Sequence, residues 1–146
     1  MQPYPHVYHA AAAAGPAGPV AVSSAGLSSL ETAPPPEFDG PGGAWSPETL
    51  LVAAVADCYA LSFRAVARAA RLDWTRLECR VEAVLDKVEG VTQFSRFTTH
   101  ARLTLAAAAD SATAEQLLAK AERVCLIGNS LRGSRALTTE LAVLPG

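Results

Sequence analysis

The sequence predicts an α+β fold, because segments with strand patterns and segments with helix patterns are grouped along the chain and do not alternate as βαβ units. Three features indicate this: a Pro- and Gly-rich N-terminal third, one long apolar helical segment, and two neighbouring segments of period-two alternation after it. We expect one domain over residues 1–146, in which 1–45 hold N-terminal strands and a connection, and 46–146 hold helix, hairpin, helix and strand.

Length and charge narrow the classes of function. The chain has 146 residues, of which 50% are hydrophobic and 18% charged, and its formal net charge is −2. This suits one soluble domain and lacks the positive surplus that binds nucleic acid or anionic membranes. No uncharged apolar run approaches the roughly 18–20 residues of a membrane span, and the first residues lack the basic region of a secretory signal. We therefore expect a cytoplasmic protein without a nucleic-acid or membrane partner.

Turn-forming residues are concentrated at the N-terminus. Residues 1–46 hold eight of the ten prolines and six of the ten glycines, which excludes long helices there. Segments 20–24 and 27–32 suit short strands, so we expect two or three strands within residues 1–33 and an irregular connection over 33–44. A disordered tail is the alternative interpretation.

A long helix is expected over residues 47–71. Ser46 can cap its free amides, Pro47 is tolerated in the first turn, and Glu48 complements the helix dipole. Its polar residues lie on one stripe, and its other sides are apolar. This stripe consists of Asp57, Arg64, Arg68 and Arg71. Such a helix is about 37 Å long and one small sheet cannot cover it, so a second copy of the chain is the simplest second layer.

The remaining elements follow from their periodicity. Segments 77–88 and 93–106 alternate as two half-buried strands, joined by a loop over 87–92 and with Cys79 facing inward. A second helix is expected over 113–126, with Asp110 or Thr113 as its cap and Cys125 on its apolar side. A last short strand is expected over 136–144.

Three cysteines, Cys58, Cys79 and Cys125, are too few and too scattered for a disulfide framework, and no two form a CxxC pair. A buried cysteine most often serves as a small hydrophobic residue, and we adopt this interpretation for Cys79. We expect no metal site, because His6, His9 and His100 supply no local ligand spacing with the cysteines.

Two motifs carry a family resemblance. Residues 46–59, SPETLLVAAVADCY, resemble the helix of the OsmC/Ohr family (osmotically induced protein C and organic hydroperoxide resistance protein), in which Asn/Ser-Pro-Glu is followed by leucine and alanines, the reactive cysteine and an aromatic residue. Residues 35–40, PPEFDG, resemble the approach to that helix, and residues 125–131, CLIGNSL, resemble the second-cysteine motif.

The resemblance implies a thiol peroxidase. It implies an intertwined homodimer with central long helices, antiparallel sheets around them and active sites at the subunit interface. Cys58 would attack an organic hydroperoxide as the thiolate and become sulfenic acid, and Cys125 would resolve it as a disulfide. A dithiol such as a lipoyl group would reduce that bond, and no cofactor is implied. Apolar surroundings would favour lipid-like or alkyl hydroperoxides.

The resemblance also assigns Glu48 to the active site, as the helix-start glutamate that holds an N-terminal arginine beside the reactive cysteine. That arginine has no counterpart, because every Lys and Arg lies at or after Arg64. Ten residues of helix separate Glu48 from Cys58, about 15 Å along the axis and about 80° around it, so contact is expected only across a dimer interface. Candidate replacements for the arginine are His6, His9, Arg132 and Arg135.

Two alternatives remain open. The missing arginine suits a non-catalytic dimer of this fold that binds a small hydrophobic ligand. The other alternative is a stress-associated dimer whose cysteines are redox-sensing or incidental.

Overall fold

The computed structural model describes residues 1–145, which form two compact units divided between Leu51 and Val52. Each unit contains one three-stranded sheet, and helices accompany both, so the predicted α+β class is confirmed. That the two units make a single domain stays a prediction.

The first unit contains an antiparallel meander of β1 (Ala11–Ala13), β2 (Val20–Ser23) and β3 (Leu30–Thr32). The prediction of two or three strands within residues 1–33 is confirmed. The last strand is shorter than segment 27–32, because the Leu27 amide donates to the Ser24 carbonyl oxygen at 3.1 Å and closes a turn. A 3-10 turn at Pro36–Phe38 interrupts the connection that follows.

Helix α1 spans Pro47–Ala69. The predicted cap is confirmed, since the Thr49 amide donates to Ser46 Oγ at 3.1 Å and the Ser46 amide donates to Thr49 Oγ1 at 2.9 Å, as in a capping box. The helix ends two residues before the predicted Arg71. Arg71 has a φ of 55°, and the Leu72 amide donates to the Ala67 carbonyl oxygen at 3.0 Å, which is a Schellman ending without glycine.

By length and composition alone, α1 could also cross a membrane, which the sequence analysis does not anticipate. The core helix of a soluble protein meets the same criteria. Here Val55, Tyr59, Phe63 and Ala67 recur every four residues and are buried, so one face of α1 lies inside the protein. The predicted polar stripe of Asp57, Arg64, Arg68 and Arg71 is exposed.

The sheet of the second unit has the order β4-β5-β6. The antiparallel strands β4 (Trp74–Val88) and β5 (Val91–Leu105) are joined by Glu89 and Gly90, whose φ angles of 52° and 81° suit a two-residue hairpin turn. The predicted loop over 87–92 is therefore too long. Strand β6 (Ser134–Val143) lies parallel to β5 and confirms the expected last strand.

The second helix differs from the prediction. Helix α2 spans Ser111–Val124, and the short α3 spans Leu126–Asn129, so the predicted helix over 113–126 is two helices. Asp110 holds the N-cap position of α2 but makes no side-chain cap hydrogen bond, and Thr113 lies within the helix. Residues of α1, α2 and β5 form one hydrophobic cluster together with Cys125, and this cluster includes Tyr59, Phe63, Leu103, Leu105, Leu117 and Leu118.

Candidate functional site

Cys58 lies in the middle of α1, as predicted, with its side chain half-buried against the hydrophobic cluster. Its Sγ lies 4.0 Å from Oγ of Ser62, one turn further along the helix. The helix thus presents a thiol and a hydroxyl group on the same side.

Cys125 occupies the break between α2 and α3, with extended backbone angles of φ −63° and ψ 104°. The prediction that it lies inside the second helix is wrong. Its apolar environment is confirmed, because the residue is only 1% exposed and belongs to the hydrophobic cluster.

Cys58 and Cys125 both pack at the hydrophobic cluster, close enough for Cys58 to raise the pKa of Cys125, and both thiols are free. Burial, together with the side-chain contact with Cys58 and the charge of Glu122, raises the pKa of Cys125 to about 11. The backbone N–H of Gly128 acts in the opposite direction and lowers this pKa. A thiol with so high a pKa is almost fully protonated at neutral pH.

Two further groups share this environment. Burial, with the charges of Glu122 and Cys125, raises the pKa of Cys79 to about 11. Cys79 packs half-buried against the cluster, which agrees with its predicted role as an inward-facing core residue. The Tyr59 hydroxyl donates to the Leu118 carbonyl oxygen at 3.1 Å, and burial, with the nearby thiols and carboxylates, raises its pKa.

Arg135 supports the segment around Cys125. Its Nε donates to Oε1 of Glu122 at 2.8 Å, its Nη1 donates to Oδ1 of Asn129 at 2.6 Å, and its Nη2 donates to the Glu122 carbonyl oxygen. Arg135 is one of the predicted activating cations for Cys58, but its guanidinium is hydrogen-bonded to Glu122 and Asn129. Periodicity identifies neither partner, although Gly128 and Asn129, just after the predicted helix, are a weak signal of a helix end.

Glu48 lies in the first unit and is half-buried in the first turn of α1. Within residues 1–145, its Oε2 atom is buried and has no hydrogen-bond partner. The role of Glu48 in the active site stays a prediction.

The other candidate cations are exposed. His6 Nε2 is hydrogen-bonded to the Gln2 carbonyl oxygen at 3.0 Å, and its ring stacks on Tyr4. The side chains of His9 and Arg132 are exposed as well. Over the described part of the chain, no group of three or more His, Cys, Asp or Glu residues is placed to hold a metal ion.

Comparison with known sequences confirms the predicted family resemblance. The family model described as "OsmC-like protein" matches residues 40–140. The uncharacterized protein YmaD of Bacillus subtilis (strain 168) is 30% identical to this chain over 115 residues, which cover 77% of each protein.

Solved structures share the fold. An organic hydroperoxide resistance protein OsmC from Legionella pneumophila has a TM-score of 0.74 and 29% identity, with 94% of this chain and 97% of that chain covered. An organic hydroperoxide resistance protein from Elizabethkingia anophelis has a TM-score of 0.77 over 98% of this chain and 100% of that chain, and at 18% identity this likeness concerns the fold.

Proposed function

The chain belongs to the OsmC-like protein family, and we therefore propose that it is a thiol peroxidase that reduces organic hydroperoxides through Cys58 and Cys125. The observation that carries this proposal is the proximity of two free thiols from separate elements at one hydrophobic cluster. The similarity to a Legionella pneumophila protein named for organic hydroperoxide resistance supports the choice of substrate.

In the first step, the Cys58 thiolate attacks one oxygen of the hydroperoxide. A sulfur–oxygen bond forms, the oxygen–oxygen bond breaks, and the alcohol leaves after taking up a proton. Cys58 is thereby oxidised to sulfenic acid. An apolar environment suits an alkyl or lipid-like hydroperoxide better than hydrogen peroxide.

In the second step, the Cys125 sulfur attacks the sulfur of the Cys58 sulfenic acid. The disulfide forms, the sulfur–oxygen bond breaks, and the hydroxyl group leaves as water with the thiol proton. An external dithiol, such as one of lipoyl type, then returns both cysteines to thiols by exchange and is itself oxidised to a disulfide.

We further propose that the protein acts as a homodimer in the cytoplasm. In one chain, the apolar first half of α1 is mostly only half-buried, although such a helix favours burial on all sides. A second copy would cover this surface, and Glu48 would reach the active site across the interface.

Two observations favour a second candidate function, the binding of a small hydrophobic ligand without catalysis. Within residues 1–145 the buried Oε2 atom of Glu48 has no hydrogen-bond partner, and the sequence has no Lys or Arg before Arg64. A thiolate in apolar surroundings needs a nearby cation to form at neutral pH.

Turnover of cumene hydroperoxide with dihydrolipoate as reductant tests the proposal. We expect the wild type to consume the hydroperoxide repeatedly, Cys58→Ser to be inactive, and Cys125→Ser to lose turnover with dihydrolipoate. Cys79→Ala is the matched control and retains turnover. A wild type that consumes no more hydroperoxide than Cys58→Ser contradicts the peroxidase proposal and leaves ligand binding as the better account.

A further inference from the structure

We propose that Arg135 is a positioning residue, which holds Cys125 in place for closure of the disulfide with Cys58. It acts through Glu122, Gly128 and Asn129 and does not touch the reacting atoms. The inference rests on the proposed function in one respect, namely that this disulfide closes during the reaction.

Arg135 and Asn129 together end helix α2. The last carbonyl groups of an α-helix have no partner within the helix. The Arg135 guanidinium donates to the carbonyl oxygen of Glu122, and Asn129 Nδ2 donates to that of Arg123 at 3.1 Å. With these carbonyl groups satisfied from outside, the helix ends at Val124 and Cys125 adopts an extended conformation.

The same guanidinium joins the chain before Cys125 to the chain after it. It bonds the Glu122 carboxylate at 2.8 Å on one side and the Asn129 amide oxygen at 2.6 Å on the other. The Arg135 and Glu122 side chains are only 23% and 18% exposed, so solvent weakens this pair less than a surface ion pair. A lysine has no planar fork and cannot make the same three contacts.

Gly128 lies between the guanidinium and Cys125. A Cβ atom at this position would lie 2.5 Å from Nη2 and 2.6 Å from Cζ of Arg135, so only glycine lets the guanidinium lie against the backbone. The Gly128 backbone N–H also favours the Cys125 thiolate. A side chain at position 128 would therefore displace the guanidinium from its hydrogen-bond partners.

We therefore expect substitution of Arg135 to slow the second step, closure of the disulfide. The first step, oxidation of Cys58, is expected to stay unchanged. Cys58 lies on α1 and requires none of these contacts to become sulfenic acid. Closure of the disulfide requires the Cys125 sulfur to reach Cys58, and a displacement of about 1 Å can slow such a step by about a hundredfold.

The test compares Arg135→Lys, Asn129→Ala and Gly128→Ala with the wild type. The matched control is Arg102→Lys, because the Arg102–Glu140 pair at 3.6 Å is an exposed ion pair on the sheet. Reduced protein receives one equivalent of cumene hydroperoxide, and samples are quenched with dimedone, which labels sulfenic acid, and with an alkylating agent. Intact mass then gives the fractions of thiol, sulfenic acid and disulfide with time.

In the three variants, we expect the Cys58 thiol to be lost at the wild-type rate. Closure of the disulfide is expected to be slowed about tenfold or more, so that dimedone-labelled protein accumulates. The control shows no accumulation. Closure at the wild-type rate in Arg135→Lys and Gly128→Ala overturns the inference, as does an equal slowing of both steps, because a general loss of structure would affect both.

Diamide separates this inference from the proposed function, since it oxidises neighbouring thiols to a disulfide without a hydroperoxide. If the hydroperoxide leaves wild-type Cys58 unmodified, the peroxidase proposal fails. Slower closure by diamide in the three variants still supports the role of Arg135, and closure at the wild-type rate overturns it.

Discussion

The Tyr59 hydroxyl donates to the main-chain oxygen of Leu118 at 3.1 Å, so the residue next to Cys58 is bonded to the helix that leads into Cys125. Tyr59 is fully buried. The bond therefore fixes α1, beside Cys58, against α2 about two turns before Cys125.

Tyr59→Phe removes this bond and keeps the ring. We expect the free energy of unfolding to fall by about 0.5–1.5 kcal/mol, the usual contribution of one hydrogen bond. Urea denaturation measures the change, and Tyr8→Phe, at an exposed tyrosine, is the control. Equal stability of the two variants would show that the Tyr59 hydroxyl contributes nothing.

Closure of the disulfide is expected to accelerate with pH. Burial raises the pKa of Cys125, and the thiolate is the attacking form. Below this pKa the thiolate fraction grows about tenfold per pH unit, so the closure rate is expected to rise over the range from about pH 7 to pH 10. Stopped-flow measurement after complete oxidation of Cys58 tests this, and a rate that is flat across the range contradicts it.

Stability is expected to fall at alkaline pH. The pKa values of Cys79 and Cys125 are both raised to about 11 from an ordinary value of 9.0. Below pH 9 these thiols are protonated in the folded and unfolded states and add no pH dependence. Between pH 9 and pH 11 the unfolded chain loses these protons first, so the free energy of unfolding falls.

Urea denaturation at pH 8, 9 and 10 measures this fall. Cys79→Ala removes one of the two thiols and should give a shallower decline than the wild type. Identical slopes for the two proteins would mean that Cys79 has the same pKa in the folded and unfolded states.

Glu48→Gln tests the predicted role of the helix-start carboxylate. If Glu48 holds the group that activates Cys58, its neutralisation should slow oxidation of Cys58 about tenfold or more, as for other residues that orient a reactive group. Alkylation of the remaining Cys58 thiol measures the rate, and Glu37→Gln, at an exposed glutamate, is the control. Oxidation at the wild-type rate removes Glu48 from the active site.

Local sequence signals predict much of this fold. Ser46 and Pro47 mark the start of α1, and period-two alternation marks β4 and β5, because these features depend on neighbours a few residues apart. The position of Cys58 in a long apolar helix follows from the same signals. Whether a cation lies beside Cys58 does not follow from them, because Arg64 and Arg68 of this helix lie on its exposed polar stripe.

The prediction fails where distant contacts decide the backbone. The predicted helix runs through Cys125, whereas α2 ends at Val124, where the Arg135 side chain of β6 donates to the Glu122 carbonyl oxygen. Likewise, Arg71 adopts a left-handed conformation that is more typical of glycine. Neither feature has a period that sequence analysis can detect.

The central claim is that a hydroperoxide oxidises Cys58, which then forms a disulfide with Cys125. Its most direct test is intact mass with a free-thiol count, before and after one equivalent of cumene hydroperoxide, on the wild type, Cys58→Ser and Cys125→Ser. The account predicts rapid loss of two thiols and two hydrogens in the wild type, no reaction in Cys58→Ser, and an oxidised Cys58 trapped in Cys125→Ser. Wild-type protein that keeps all its thiols free over minutes would contradict it.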